Sequence, residues 1–428
     1  MNAFMNKLQI GFYENELIQN IIPFWMERCE DKEYGGYLCC FSNDNKALLS
    51  TVKYTWSQGR ALWLFSHLSR MERTFKSAQR KEFLRMAKVG RDYIVNHCFL
   101  SDKPLRCIFL TDQKGNPLHV PGYDNYDVSE SADVFAIIGL TEYAIAASDK
   151  ETYDIVKELY ISATERAESF NFGSYPYPTS EVYLQHGYYM SWILRNYCIT
   201  KAAAVFEPEF ARHTKGKLKD GMDSLLRYFV DDNDVMREVR RRDAQRTAVP
   251  GAFGNHSNPG HVVEEMWFIQ HSADLLGDAS YTEKLAKIVK KALRLGWDTT
   301  YGGLYHFCST QGGPPIATPD DPVDEPTFQQ LMDGWSDKLW WVHSEALYST
   351  LLFGFRLNDE ELLSWHQKVF EYTFKTYPNP DREVREWVQI RTREGLPQQK
   401  VTSLPVKDPF HIARDLIYIL EFLYRQEG

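Results

Sequence analysis

Histidines and carboxylates stand together at several helix entrances of this 428-residue chain. The clearest case is Asn258-Pro259-Gly260-His261-Val262-Val263-Glu264-Glu265-Met266-Trp267, where a Pro-Gly turn delivers a histidine to the mouth of a helix. His261 and Glu264 are three residues apart and share a helix face. An imidazole and a carboxylate in that setting suit proton transfer near neutrality, although an ordinary helix start with a satisfied polar pair reads the same way. A second entrance, Lys407-Asp408-Pro409-Phe410-His411-Ile412-Ala413-Arg414, again follows a proline and sets His411 and Arg414 three apart. In Lys338-Leu339-Trp340-Trp341-Val342-His343-Ser344-Glu345, Trp341 and Glu345 share a face as cleft candidates while His343 points elsewhere. Arg60 interrupts the apolar run Trp56-Ser57-Gln58-Gly59-Arg60-Ala61-Leu62-Trp63. It is either paired across the core or a guanidinium that holds a substrate oxygen. His186 opens another apolar run, where position alone makes it a helix-start polar residue. His256, in the Gly251–Ser257 loop, reads as a solvated loop histidine.

Helical periodicity dominates the elements that must carry these residues. It predicts twelve helices, at roughly 12–29, 56–72, 77–98, 129–147, 150–170, 184–204, 216–231, 261–276, 280–295, 338–355, 359–376 and 408–426. Short Gly- and aromatic-rich pieces such as Gly36–Phe41 and Gly303–Phe307 fall between them as strand-like hairpins. The segment 312–327 is a Pro/Asp-rich surface lid or a wandering loop. An internal repeat is visible. Tyr34-Gly35-Gly36-Tyr37-Leu38 matches Tyr301-Gly302-Gly303-Leu304-Tyr305, and Lys53-x-x-Trp56-x-x-x-Arg60-Ala61 matches Lys338-x-x-Trp341-x-x-x-Glu345-Ala346. Twelve helices in repeated hairpin pairs imply an all-α fold, a toroid of six helical hairpins or (α/α)6 barrel, with short β-hairpins in the loops on one side. The inner helices would then turn their N-termini, and the polar clusters, to that side, where partial positive charge favours an anion.

No Ser/Gly-rich run, charge block or low-complexity segment divides the chain, so residues 1–428 are expected to form one domain. The balance of 49 basic against 58 acidic residues argues against nucleic acid or an anionic membrane as partner. No run approaches a membrane span and the opening MNAFMNKLQI lacks the apolar core of a signal peptide. Seven cysteines with no CxxC pair read as reduced thiols in a cytoplasmic protein, with no zinc and no other metal expected. The 14% aromatic share fits a thick core or a cleft whose aromatic faces stack on sugars.

The chain resembles the N-acylglucosamine 2-epimerase family, which includes cellobiose 2-epimerases and aldose–ketose isomerases acting on mannose-like sugars. The resemblance rests on Tyr34-Gly35-Gly36-Tyr37, Lys53-Tyr54-x-Trp56-x-Gln58-Gly59-Arg60, Asn258-Pro259-Gly260-His261-x-x-Glu264-x-x-Trp267, Gly296-Trp297-Asp298-x-x-x-Gly302-Gly303-Leu304, Lys338-x-Trp340-Trp341-x-x-Ser344-Glu345-Ala346 and Pro409-Phe410-His411-x-x-Arg414. It implies an (α/α)6 barrel and a sugar as small-molecule partner. A proton would be taken from C2 of the open-chain sugar and returned to it. It places the catalytic histidines at His261 and His411, the oxyanion-steadying arginine at Arg60, and acidic positions near the sugar at Glu264 and Glu345. Glu264 would orient His261 or hold a hydroxyl, and Trp341 and Glu345 would grip the sugar. His186 matches a further active-site histidine, and Trp56, Tyr54 and Arg414 are expected beside the substrate. No metal or redox cofactor is required. The NPGH form of the central motif looks closer to the N-acylglucosamine branch, and the stretch 100–240 is where an N-acyl pocket would be decided. An aldose–ketose isomerase would need the same parts, and a glycoside hydrolase would need Glu264 and Glu345 as a facing carboxylate pair. Sequence leaves open whether the chain forms a homodimer.

Overall fold

The computed structural model describes residues 3–176 and 182–426. Twelve long helical segments dominate those residues, and they pack as six pairs. Thr55–Leu68 packs on Ser77–His97, Glu130–Ala147 on Lys150–Glu168, and Gly187–Phe206 on Pro208–Phe229. Pro259–Leu276 packs on Thr282–Gly296, and Trp340–Leu357 on Glu360–Thr376. The last helix, His411–Gln426, takes the N-terminal Ala3–Asn15 as its partner; that helix continues through a π-helical stretch at Glu16–Ile21 into Ile22–Arg28.

The two members of each pair differ in pattern. Helix Glu130–Ala147 is buried without a break from Ala132 to Ala144, as a helix surrounded by others must be. Thr282–Gly296 buries only one stripe, Leu285, Ala286, Ile288, Val289, Ala292 and Leu293, and turns Glu283 and Lys284 outward. The inner members pack side by side in chain order, from Thr55–Leu68 through Glu130–Ala147, Gly187–Phe206, Pro259–Leu276 and Trp340–Leu357 to His411–Gln426. Side chains then join last to first. Trp63 meets Tyr418 at 5.8 Å between ring centroids, and His67 Nε2 lies 2.8 Å from Glu421 Oε1. One interhelical approach is unusually close. A Cβ at Gly59 would overlap the Phe135 carbonyl, and one at Gly139 would overlap the Gly59 carbonyl.

Five two-stranded antiparallel ribbons complete the fold. Four of them contain the strand that runs straight into an inner helix: Lys53–Tyr54, Tyr183–Gln185, His256–Ser257 and Lys338–Leu339. The hairpins therefore gather at the N-terminal ends of the inner helices.

The internal repeat has a physical cause. Asp31 accepts the backbone N–H groups of Glu33 and Tyr34, and Asp298 those of Thr300 and Tyr301, so each aspartate closes a turn into its Gly-Gly pair. The paired glycines have φ between 69° and 77°, the left-handed region. The buried Lys53 then reaches Asp31 and the Gly35 carbonyl, as Lys338 reaches Asp298 and the Gly303 carbonyl. A third copy, Asp381-Arg382-Glu383-Val384-Arg385-Glu386-Trp387, has the same aspartate turn. There Arg385 and Glu386 adopt φ of 66° and 59° where the other copies have glycine, and Lys407 pairs with Glu386.

The predicted helices are found, two of them with clearly earlier starts. The first begins at Ala3 rather than 12. The helix expected at 216–231 begins at Pro208, whose missing N–H and fixed φ suit a first helical position. The Pro/Asp-rich segment leads into an unpredicted helix, Pro326–Gly334, and is tied down where Asp321 accepts the backbone N–H groups of Ala252 and Phe253. All seven cysteines are free and six are buried. No helix among the described residues is long and apolar enough to cross a membrane.

Candidate active site

A cleft of about 260 Å³ opens where the inner helices begin. Each contributes its first turns: Trp56 and Arg60, Ser131 to Phe135, His186 to Leu194, His261 to Glu265, Trp340 and Trp341, and His411. Six helix N-termini around one cavity give it a positive field suited to a developing anion.

Two histidines are delivered by the same local device. Asn258 Oδ1 accepts the N–H groups of Gly260 (2.9 Å) and His261 (3.2 Å), with Pro259 at the first helical position. Asp408 accepts those of Phe410 (2.9 Å) and His411 (3.1 Å), again with a proline next. Gly260 is required because a Cβ there would lie 2.6 Å from the Trp341 ring. That close approach seats His261 against the indole at 5.0 Å between centroids, and His411 lies 5.6 Å from the same indole. The separation of the two imidazoles cannot exceed the sum of those distances, a gap that one open-chain hexose bridges.

Each imidazole has a glutamate on Nδ1. His261 Nδ1 lies 2.7 Å from Glu238 Oε2, and His411 Nδ1 lies 2.6 Å from Glu345 Oε1. Such a bond orients the ring and leaves Nε2 for chemistry. The surroundings of the two then differ. Burial, followed by the charges of Arg60, Arg414 and His261, pushes the His411 pKa well below the ordinary histidine value, so it rests as neutral imidazole. Around His261, Glu238 also receives His186 Nε2 at 3.1 Å, and His186 Nδ1 bonds Glu265. Burial raises the Glu238 pKa, but the two histidines outweigh it and hold the carboxyl well below its usual range. Burial likewise lowers that of His186, but Glu238 and Glu265 outweigh it and raise it well above normal. The side chains His261, Glu238, His186 and Glu265 thus form a continuous relay along one wall.

Arg60 lines the cleft with its guanidinium over the faces of Trp56, Phe135 and Phe410 and one nitrogen 3.3 Å from Asp408 Oδ1. Glu264 lines the cleft and accepts from Arg414 Nη2 at 2.9 Å.

Several sequence expectations are corrected. Glu264 does not orient His261; Glu238 does. Glu345 is fully buried by Trp267, His411 and Arg414, so it supports His411 and does not grip a sugar. Arg414 is 1% exposed, bonded to Glu264 and Glu345 beneath the cleft, and has no access to substrate. Tyr54 packs its ring on Phe109 outside the cleft lining. His256 is 1% exposed, not solvated, and bonds the Phe253 carbonyl from the cleft wall. His186, Trp56 and Trp341 do line the cleft.

Two triads, His186–Glu238–His261 and Glu264–Glu345–His411, bring three ligand atoms within 4.8 Å of one another.

A profile of the family described as N-acylglucosamine 2-epimerase (GlcNAc 2-epimerase) matches residues 35–413. The chain belongs to this family. The N-acylglucosamine 2-epimerase of Mus musculus is 27% identical, with 94% of this chain and 89% of that protein covered. The cellobiose 2-epimerase of Dictyoglomus turgidum is 28% identical, with 95% and 96% covered. Among solved structures, the cellobiose 2-epimerase from Bacillus thermoamylovorans B4167 superposes with a TM-score of 0.75 at 20% identity, over 98% of this chain and 100% of that one. A D-mannose isomerase gives 0.72 at 15% identity, over 99% of each. As a member of this family the chain is an isomerase, a sugar 2-epimerase.

Proposed function

We propose that the chain interconverts N-acyl-D-glucosamine and N-acyl-D-mannosamine, using His261 and His411 as two bases on opposite faces of C2. The reading also takes residues 1–428 as one domain, a closed (α/α)6 barrel. The observation that carries it is the pair of histidine–glutamate dyads, both imidazoles set against the Trp341 indole in one cleft.

The C2 proton of an open-chain aldose is weakly acidic, so a base must act while the carbonyl oxygen is stabilised. Neutral His411 accepts the proton from one face at Nε2. The electron pair moves into the C1–C2 bond and onto the carbonyl oxygen, beside the Arg60 guanidinium and the helix N-termini. His261, protonated at Nε2 and steadied by Glu238, returns a proton to C2 from the other face, and the configuration inverts. The reverse direction exchanges the two roles. Trp341 supplies the apolar floor between the bases.

An aldose–ketose isomerase returns the proton to C1 on the face it left, which needs one base; two histidine–glutamate dyads in one cleft favour epimerisation. A glycoside hydrolase needs carboxylates facing each other across the cleft. Glu264 and Glu345 both bond Arg414, and Glu345 is sealed from the cleft. The test is incubation in deuterated water with N-acetylmannosamine, mannose and cellobiose, read by NMR at C1 and C2. Label at C2 of N-acetylglucosamine supports the proposal, and a ketose product refutes it.

A further inference from the structure

Part of the cleft takes no part in the proton relay. Thr327 and Gln330 of helix Pro326–Gly334, residues 402–406, and His306 with Phe307 form one wall. We infer that this wall reads the acyl group of the substrate: the Ser403 hydroxyl bonds the amide, and Leu404, Val406 and Phe307 receive the acyl carbons. The inference rests on the epimerase reading above.

Two bases on opposite faces of C2 hold the planar intermediate between them. The C2 nitrogen must therefore lie in that plane and point sideways, toward neither imidazole. Trp341 packs against both imidazoles. His306 stands 6.3 Å from the Trp341 ring and stacks on Phe307 at 3.9 Å between centroids. The 402–406 segment runs directly into Asp408, the cap of His411.

Hydrogen bonds tie the wall to the chain around it. The Gln330 side-chain amide donates to the Thr402 carbonyl, Gln398 Nε2 donates to Asp337 Oδ1 at 2.9 Å, and Lys400 Nζ to Asp337 Oδ2 at 2.6 Å. Its polarity is unmet. On this wall Ser403 Oγ is buried without a hydrogen-bond partner among the described residues. No lining side chain from 100–240 carries such an orphan among the described residues. An unpaired buried polar group is unfavourable, and a hydroxyl both donates and accepts. An amide offers an N–H and a carbonyl oxygen, and its methyl group suits the apolar side chains around it. A sugar with a 2-hydroxyl lacks the amide that the serine would bond and leaves those apolar side chains to water.

The experiment measures C2 proton exchange for N-acetylmannosamine, N-propanoylmannosamine and mannose with the wild type, Ser403→Ala and Leu404→Ala. Wild type is expected to show kcat/KM at least about tenfold higher for N-acetylmannosamine than for mannose. Ser403→Ala should narrow that gap about two- to tenfold, through KM, the usual range for one lost hydrogen bond. Leu404→Ala should shift preference toward the propanoyl sugar. Equal kcat/KM for N-acetylmannosamine and mannose in the wild type overturns the inference. So does a Ser403→Ala variant that lowers both in the same proportion. If the wild type exchanges C2 of no sugar, the epimerase reading itself falls and the inference goes with it.

Discussion

Replacing Glu238 by glutamine isolates the feature that the relay adds to a bare histidine. Glu238 Oε2 sits 2.7 Å from His261 Nδ1 and 3.1 Å from His186 Nε2, and the carboxylate is buried at 5% exposure. Glutamine keeps the shape but removes the charge, and its NH2 cannot accept from either ring. A hydrogen bond to a charged group contributes roughly 1.5–3 kcal/mol. If that stabilises the imidazolium in the transition state, its loss slows the chemical step about 10- to 150-fold. The effect should fall on kcat, with KM changed less than about threefold, because Glu238 acts through His261. The assay is the initial rate of N-acetylmannosamine to N-acetylglucosamine conversion, with circular dichroism to confirm the fold. A Glu238→Gln enzyme within twofold of wild-type kcat would refute the claim that this carboxylate poises His261.

Two predictions concern the frame. His67 bridges Glu142 and Glu421 at the far end of the inner helices, at 3.0 and 2.8 Å. Burial lowers its pKa, but Glu421 and Glu142 outweigh that and lift it to about 9. The folded value exceeds the unfolded one of about 6.5, so the stabilisation is complete below pH 6.5 and disappears as pH rises through 9. The shift corresponds to about 3 kcal/mol. Urea midpoints should therefore fall between pH 7 and 10 in the wild type, and this slope should be absent in His67→Gln; identical slopes contradict the clamp. Gly59→Ala drives a methyl into the Phe135 carbonyl and should cost about 1–3 kcal/mol or more in thermal melts. A stability equal to wild type would mean that the two helices separate freely there.

The helix pattern was legible because the inner helices are apolar throughout and the outer ones carry one apolar stripe, both local signals. The hairpin repeat was legible in the two copies with Gly-Gly. Its third copy was hidden because Arg385 and Glu386 take the glycines' conformation; the aspartate six residues before an aromatic, as in Asp31 to Tyr37, was the remaining clue. Asn258-Pro259-Gly260-His261 and Asp408-Pro409-Phe410-His411 are two versions of one capped histidine; the shared proline was visible in the sequence, while the capping by Asn258 and Asp408 was not drawn from it. Glu238 carried no local signal. It reaches His186 and His261 because Val239–Arg241 pairs with Tyr183–Gln185, a contact across more than fifty residues. Arg414 and Glu345 share helix faces with cleft residues, yet the turn below the rim buries them, a depth that spacing alone does not report.

Two opposed bases make a prediction about where solvent hydrogen first appears. With N-acetylmannosamine in deuterated water, sampled before a tenth of the substrate is consumed, product should carry one deuterium at C2 and recovered substrate almost none. An imidazole that takes a substrate proton holds only that proton for return, while the opposite imidazole delivers one drawn from solvent. Deuterium entering recovered substrate as fast as product, or the original C2 proton found in the product, would show that a single base serves both faces.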